Sequence, residues 1–128
     1  MSEIVPKDLR YTQAHVWVRI VKPGTAEVGI TDHAQSQLGN LVATDLPAIG
    51  STVTAGSSSA TVESTKAASE VENPVSGTIV ARNSALERDP ELVNKAPYGS
   101  GWLYRVALSA EPKGLLSADE YLRFLAVP

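Results

Sequence analysis

The sequence predicts a mainly β fold, a small barrel or sandwich with short helices and a C-terminal helix. Short segments rich in β-branched residues fill the middle of the chain and are separated by Gly, Pro or Ser. Near the N-terminus Val16, Val18 and Ile20 alternate with other residues at the period of a strand, and Ser117 opens a helix-capping motif near the C-terminus. A length of 128 residues suits one core, so we expect a single domain over residues 1–128.

The first predicted element is a β-hairpin. The segment "AHVWVRIV", residues 14–21, has the alternation of a half-buried strand, and "TAEVGI", residues 25–30, is its predicted antiparallel partner. Pro23 and Gly24 between them suit the two central positions of a type II turn, whose second central residue needs a positive φ.

A short helix is predicted in "TDHAQSQLG", which follows the hairpin. Asp32 is placed to cap this helix, with Gln35 three residues later as the second half of a capping box, and Gly39 is placed to end it. The next five segments are predicted strands: "LVATDLP", "STVTAG", "SATVES", "ASEVE" and "GTIVARN".

Capping pairs predict the helices of the C-terminal third of the chain, at Ser84 with Glu87, Asp89 with Pro90, and Ser117 with Glu120. Leu116 and Tyr121 have the spacing of the hydrophobic staple that accompanies the last of these pairs. Between the helices, "WLYRVAL" is predicted to be a strand.

Composition excludes several classes of function. The net charge is −3 and the 11 basic residues are scattered, which disfavours binding to nucleic acid. No cysteine is present, so disulfides, thiolate metal sites and cysteine nucleophiles are excluded. The chain shows neither an apolar run of about 20 residues nor a signal or transit peptide, so we expect no membrane association and a prokaryotic cytoplasmic location.

No catalytic site is predicted. His15 and His33 lack the close spacing of a zinc-binding helix, and no cysteine is available to complete a metal site. The serines lie outside a G-x-S-x-G motif, and "GSGW" lacks the lysine of a phosphate-binding loop.

Lys66 lies between two predicted strands, "SATVES" and "ASEVE". The intervening "STKAA" is a natural hairpin tip, which would hold Lys66 outward on a rigid support. Taken alone, a lysine in a turn is usually only a solvated charge.

A wider pattern around this lysine resembles a known family. Gly50, Val53 and Gly56 form a G-x-x-V-x-x-G string that is followed by "VESTKAASE" and "NPVSG", and this order is similar to biotinyl/lipoyl carriers, whose modified lysine lies at a hairpin tip. More narrowly, "YTQAHVWV", "VGITDHAQSQLGNLV", "LPAIG", "PELVNKAPYGSGWL" and "SADEYLRFL" resemble the glycine cleavage system H proteins over nearly the whole chain. Biotin carriers typically have methionines beside the lysine, whereas this chain has Thr65 and Ala67.

The resemblance implies a lipoyl/biotinyl-type barrel-sandwich hybrid that acts as a carrier and not as an enzyme, with lipoic acid joined to Lys66 by an amide bond. Such a carrier accepts an aminomethyl group from glycine decarboxylase (P protein) and passes it to a folate-dependent aminomethyltransferase (T protein). Dihydrolipoyl dehydrogenase (L protein) then reoxidises the dithiol. A lipoate ligase or lipoyltransferase modifies the lysine first, and Glu63 resembles the residue that helps such an enzyme recognise the hairpin.

The chain departs from the family pattern where the resemblance places a cleft for the loaded arm. The cleft candidates are His33, Glu70, Val16 and Ala14; the family commonly has glutamate in place of Val16, serine in place of Ala14 and aspartate in place of Glu70. A primary amine withdrawn from water needs hydrogen-bond acceptors, and Val16 offers none on its side chain. We therefore expect a less protected arm.

Two alternatives remain open at this point. The chain could be an H-like paralogue that relays lipoyl groups to other complexes, since Lys66 and its hairpin suit both roles. It could also be an unmodified interaction module of the same fold.

Overall fold

Nine strands and short helices make up the part of the protein that its computed structural model describes, residues 5–126. The strands are β1 Arg10–Tyr11, β2 Val16–Lys22, β3 Thr25–Ile30, β4 Leu41–Asp45, β5 Thr52–Val53, β6 Ser58–Ser64, β7 Ala68–Glu72, β8 Gly77–Arg82 and β9 Tyr104–Leu108. The helices are α1 Asp32–Leu38, α2 Leu92–Lys95 and α3 Ala118–Ala126, with a 3-10 helix at Ser84–Glu87. The predicted mainly β fold with a C-terminal helix is confirmed.

The strands form two antiparallel sheets. One has six strands in the order β1-β2-β3-β9-β8-β5, and the other has three strands in the order β4-β6-β7. Apolar side chains from both sheets share the main core, among them Val28 and Val106 from the first sheet and Val62 and Val71 from the second. The predicted single domain over residues 1–128 includes residues 1–4 and 127–128, which lie outside the described residues, and it stays a prediction.

The predicted hairpin between β2 and β3 is confirmed, and Gly24 at its turn has φ 79°. The half-buried alternation predicted for β2 is wrong. Val16, Trp17 and Val18 are all buried, whereas Ile20 is 55% exposed. The reason is that Trp17 belongs to a second apolar cluster on the outer face of the sheet, so both faces of the first half of β2 are covered.

Two helix caps differ from the predictions by one residue. Thr31, not Asp32, caps α1, because the Thr31 hydroxyl accepts a hydrogen bond from the Ala34 amide at 3.3 Å. Asp32 lies inside the first turn, where its carboxylate accepts a hydrogen bond from Gln35 Nε2 at 2.8 Å. Neighbouring residues that can both cap a helix are not distinguished by spacing alone.

The 3-10 helix is capped by Asn83, whose side chain accepts a hydrogen bond from the Ala85 amide, and not by the predicted pair of Ser84 and Glu87. The predicted helix start at Asp89 and Pro90 is a turn whose carbonyls accept hydrogen bonds from the first amides of α2. Helix α2 itself begins at Leu92 and has no side-chain cap.

The capping box at α3 is confirmed. The Ser117 amide donates to Glu120 Oε1 at 2.8 Å, and the Glu120 amide donates to the Ser117 hydroxyl at 3.2 Å. The first of these hydrogen bonds holds the pKa of Glu120 below its usual value. Leu116 and Tyr121, the predicted staple, lie in the second apolar cluster, which docks α3 against Tyr11 and Trp17.

Candidate functional site

Lys66 lies at the tip of the hairpin formed by β6 and β7. The two strands pair from Ser58 opposite Glu72 to Glu63 opposite Ala68, and only residues 65–67 connect their ends. The predicted hairpin tip is therefore present, with Lys66 exposed at it. Within the described residues, the Lys66 side chain forms no hydrogen bond or ion pair.

Buried Ser64 fixes the shape of this tip. Its amide donates to the Ala67 carbonyl at 2.7 Å, and its hydroxyl donates to the same carbonyl at 3.1 Å. The hydroxyl oxygen also accepts hydrogen bonds from the amides of Ala67 and Lys66, at 3.1 and 3.3 Å. One side chain thus fixes the backbone on both sides of the lysine, which aims the Lys66 side chain away from the sheet.

A second segment of the chain, the turn Gly39–Asn40 after α1, contacts the hairpin tip and supports it. The Thr65 amide donates to the Asn40 carbonyl at 3.4 Å. The stem of Lys66 passes over Gly39, and its Cε lies 3.6 Å from the position that a Cβ on Gly39 would occupy. Gly39 has φ 83°, a conformation that favours glycine, so both the backbone and the available space suit this residue.

Asn94 in α2 holds this supporting turn in place. Its Nδ2 donates to the Gly39 carbonyl and to Gln35 Oε1, each at 2.9 Å. Its Oδ1 accepts from the Leu41 amide, also at 2.9 Å. The end of α1, the turn and the start of β4 are therefore joined by one side chain, which sequence analysis did not single out. The partners of Asn94 are more than 50 residues away, so no local motif indicates its role.

The other end of α1 carries a cluster of aromatic and polar side chains. His15 and His33 lie with their ring centroids 4.6 Å apart. His15 Nδ1 lies 2.7 Å from the Tyr121 hydroxyl, which is also 2.8 Å from the hydroxyl of Thr31, the cap of α1. The structure thus brings His33, a cleft candidate from sequence analysis, together with His15, which sequence analysis had considered only as a metal ligand, and joins the pair to α3.

His15 is held in this cluster by an unusual backbone conformation. Its φ is 66°, the only positive φ of a non-glycine residue among the described residues. A tight turn imposes it: the Thr12 amide donates to the Val16 carbonyl at 3.0 Å, and the His15 amide donates back to the Thr12 carbonyl at 3.1 Å. Backbone strain of this kind is often found at functional sites.

Carboxylates line the outer face of the three-stranded sheet beside the lysine. Glu63 lies opposite Ala68, and Glu70 lies opposite Thr61, which pairs on its other side with Asp45. Glu63, Glu70 and Asp45 therefore share one face, which we call the acidic face, and all three are exposed. Within the described residues none of the three forms an ion pair, so this face presents uncompensated negative charge.

The candidates for an arm cleft do not form one group. His33 is half-buried on α1, and Ala14 is exposed in the turn beside His15. Glu70 is exposed on the acidic face, which belongs to a different part of the fold from the turn of His15 and the start of α1. Val16 is 1% exposed and lies in the main core, so the expectation that it lines an open cleft is corrected.

Within the described residues, no three His, Cys, Asp or Glu side chains are grouped as a metal site. In the same part of the chain, no helix has the length and apolarity needed to span a membrane. The phenol of Tyr11, which stacks on Tyr121 with ring centroids 4.9 Å apart, has its pKa raised by burial and stays neutral.

Comparison with known proteins identifies the family. A family model described as "Glycine cleavage H-protein" matches residues 9–127. A glycine cleavage system H protein of Rubrobacter xylanophilus is 54% identical over 125 residues, 98% of this chain and 97% of the relative, and one of Nitratidesulfovibrio vulgaris is 54% identical over 91% of each chain. The crystal structure of such a protein from Mycobacterium marinum superimposes with a TM-score of 0.89 at 42% identity, covering 96% of this chain and 100% of the other. The chain therefore belongs to the glycine cleavage H-protein family.

Proposed function

We propose that this protein is the lipoyl-bearing carrier of the glycine cleavage system, with lipoate attached by an amide bond to Lys66 Nζ. Family membership supports the carrier role and indicates a subunit that is not itself a catalyst. The observation that supports the attachment site is the hairpin tip, where one exposed lysine stands on a turn fixed by Ser64 and backed by Gly39.

The residues around Lys66 fit an amide-linked arm. Within the described residues no partner holds the ammonium group, so modification breaks no ion pair. Lys66 and Gly39 meet without a side chain between them, which leaves the stem room to lie along α1. The dithiolane would supply the reversible sulfur redox chemistry that a chain without cysteine lacks.

The far end of α1 is the proposed resting place of a loaded arm. From residue 39 to residue 33 the helix is about 9 Å long at ~1.5 Å per residue, so an arm that starts over Gly39 can reach the cluster of His15 and His33. His15 and His33 are the half-buried groups there whose imidazoles can accept a hydrogen bond from an amine, whereas the hydroxyls of Thr31 and Tyr121 are buried behind them. Glu70, on the acidic face, is proposed as a negative charge near the path and not as part of this cluster.

The acidic face is the proposed recognition surface for the lipoylating enzyme, with Glu63 as its residue next to the tip. Glu63 is exposed and unpaired within the described residues, so its removal would change the charge that an enzyme meets without removing a folded-state contact. The proposed partners are this lipoate ligase or lipoyltransferase, glycine decarboxylase, the aminomethyltransferase and dihydrolipoyl dehydrogenase. We further propose that the protein works in the bacterial cytoplasm, as expected of a carrier with these partners.

The deciding experiment is an intact-mass measurement of protein from its native host, followed by a glycine cleavage assay with the three purified partner enzymes. We expect the mass of one lipoyl amide at Lys66 and turnover that depends on the protein. An unmodified mass would contradict the attachment and favour the interaction module. A lipoylated protein without turnover in the assay would contradict the glycine cleavage role and favour a lipoyl relay.

A further inference from the structure

The outer face of the six-stranded sheet, turned away from the three-stranded sheet, has a depression of about 610 Å³, which we call the outer trough. Its floor is formed by small side chains, Thr25 of β3 and Ala107 of β9, which lie opposite each other. Its walls are Val21 and Lys22 on one side and Val80 and Arg105 on the other. The carrier function does not use these residues.

The cation in the wall of the trough is fixed in place. Arg105 donates from Nε and Nη2 to Glu27 Oε2 at 2.9 and 2.7 Å, and its guanidinium lies 4.4 Å from the centroid of the Trp102 ring. The other Glu27 oxygen accepts from Arg19, whose guanidinium lies 5.0 Å from the centroid of Trp17. Two arginines thus share one carboxylate that is 4% exposed, and the group keeps a net positive charge.

The fixed position of the Arg105 side chain favours binding. An arginine that is already held by a carboxylate and an indole loses little side-chain entropy when its remaining N–H groups bind a second acceptor. Arg105 is partly exposed, with 38% of its side chain accessible, so such donors reach the surface. Arginine and tryptophan are both enriched among the residues that contribute most of the binding energy in protein interfaces.

The trough also offers apolar surface. Val21 is 41% exposed and Val80 is 45% exposed, on opposite sides of the small-residue floor. An aliphatic side chain of a binding partner could enter between the two valines and be removed from water. A carboxylate next to it on the partner could then form an ion pair with Arg105 or Lys22. Among the residues that the structure describes, no acidic side chain lines the trough, although the chain as a whole has net charge −3.

The trough is far from the lysine. The trough lies at the Thr25 end of β3. The Ile30 end of the same strand is about 17 Å away at ~3.3 Å per residue, and α1, whose last turn at Gly39 contacts Lys66, follows that end. A protein docked at the trough would therefore leave the hairpin tip uncovered.

We propose that the outer trough is a docking site for a partner enzyme of the carrier, one that presents an aliphatic side chain flanked by carboxylates. The proposal rests on the proposed carrier function, since it adds an anchoring surface to the carrier. Charge complementarity identifies the occupant: the fixed guanidinium and Lys22 select an acidic surface, and the two valines select an apolar side chain within it.

The test uses the lipoylated protein as the varied substrate of each partner enzyme in steady-state assays. The double variant Lys22→Glu with Val80→Glu reverses the charge and blocks the apolar wall without touching Glu27 or its two arginines. The matched control is Lys113→Glu with Ile49→Glu, an exposed lysine and an exposed aliphatic residue outside the trough. Intact mass establishes equal lipoylation of all three proteins beforehand.

We expect the trough variant to raise the KM for the carrier about tenfold with at least one enzyme while kcat is retained, and the control to stay within about twofold of the native protein. Added salt should raise the KM of the native carrier and reduce the difference in KM between the native carrier and the trough variant. An unchanged KM with every enzyme, in assays where the native carrier turns over, would overturn the docking site and leave the carrier function standing.

A second copy of this protein, with its acidic face on the trough, is the competing occupant. Sedimentation of the native protein alone tests for this self-association. Self-association that the trough variant abolishes would overturn the proposal in favour of a homo-oligomer. Absence of turnover with the native carrier would remove the proposed function and the docking site together.

Discussion

The two hairpins β2–β3 and β6–β7 reverse the chain in different ways. At the first, Pro23 and Gly24 suit the turn by backbone preference, and the Gly24 carbonyl accepts one backbone hydrogen bond from Leu108 of β9 at 2.8 Å. Among the described residues, nothing lies within 4 Å of the position that a Cβ on Gly24 would occupy. At the second, the Ser64 side chain fixes the turn, while Gly39 and Asn94 support it from two other segments. A turn that only connects strands needs no such support. The additional contacts indicate that the second hairpin has to hold its tip in a defined position.

The largest effect is expected from Lys66→Arg. Arginine keeps the charge at an exposed tip but offers no amine that can be acylated, so lipoylation and carrier activity should be lost while the protein folds normally. Intact mass after incubation with a lipoylating enzyme measures lipoylation, and a thermal melt measures whether the variant is folded. Lys22→Arg at the end of the other hairpin is the control and should be lipoylated as the native protein is. Carrier activity retained by Lys66→Arg would disprove the attachment site.

Asn94→Ala should have the next largest effect, because it removes the side chain that joins α1, the supporting turn and β4. Loss of three hydrogen bonds predicts a decrease of about 2–3 kcal/mol in the free energy of unfolding, measured by urea denaturation. Amide hydrogen exchange should increase at Leu41 and Thr65 and stay unchanged in the β2–β3 hairpin. Equal increases in both hairpins would show that Asn94 stabilises the whole fold and not the tip.

Ser64→Ala tests the tip directly. The hydroxyl makes its three hydrogen bonds within the turn, so we expect a loss of about 1–2 kcal/mol of stability and a several-fold slower lipoylation of Lys66. The rate is followed by mass spectrometry with a lipoate ligase at substrate concentrations below its KM. A variant that loses stability but is lipoylated at the native rate would mean that the enzyme does not need a preformed turn.

A pair of glycine variants tests whether the stem of Lys66 lies on the supporting turn. Gly24→Ala and Gly39→Ala both force alanine to positive φ, at 79° and 83°, and Gly39 also has ψ −165°, a combination that is almost restricted to glycine. Only Gly39→Ala adds an atom in van der Waals contact with the stem of Lys66. We therefore expect the larger loss of stability in urea denaturation for Gly39→Ala, and slower lipoylation for Gly39→Ala alone under conditions where both variants are folded. Equal lipoylation rates would mean that the stem does not lie on the turn when the enzyme acts.

The smallest effect is expected from Glu63→Gln, which removes one exposed charge of the acidic face. Stability should be unchanged in urea denaturation, because an exposed and unpaired carboxylate contributes little. Lipoylation should become slower, and Glu72→Gln, an exposed carboxylate further from the tip, should have a weaker effect. Equal rates for native protein and both variants would remove Glu63 from the recognition surface.

Local features of this fold were predictable from sequence because their causes are local. The Pro23–Gly24 turn, the capping box of Ser117 and Glu120, and the exposed Lys66 at a hairpin tip each follow from a few adjacent residues. The cap of α1 was wrong by one position because Thr31 and Asp32 are both capable of it. Spacing cannot choose between them, since the choice depends on where β3 ends.

Contacts between distant segments were not predictable in the same way. The bonds of Asn94 to Gly39 and Leu41 depend on how α1 and α2 pack, and the pair of His15 and His33 depends on how β2 meets α1. Val16 was interpreted as a cleft residue because the family that the chain resembles commonly has glutamate at that position, and such a pattern does not show which way the valine side chain packs. That side chain lies in the main core. Trp17, its neighbour, lies in a second apolar cluster whose members come from both ends of the chain.

The positions of the two tryptophans give the protein two separate optical signals. Trp17 is fully buried, and its Nε1 donates to the Pro97 carbonyl at 2.9 Å, so its fluorescence should change only when the protein unfolds. Trp102 is partly exposed and lies under the Arg105 guanidinium, so its emission should respond when that arginine is drawn toward another group. With Trp17→Phe, a single emission spectrum would report events at the outer sheet face in real time, without any label.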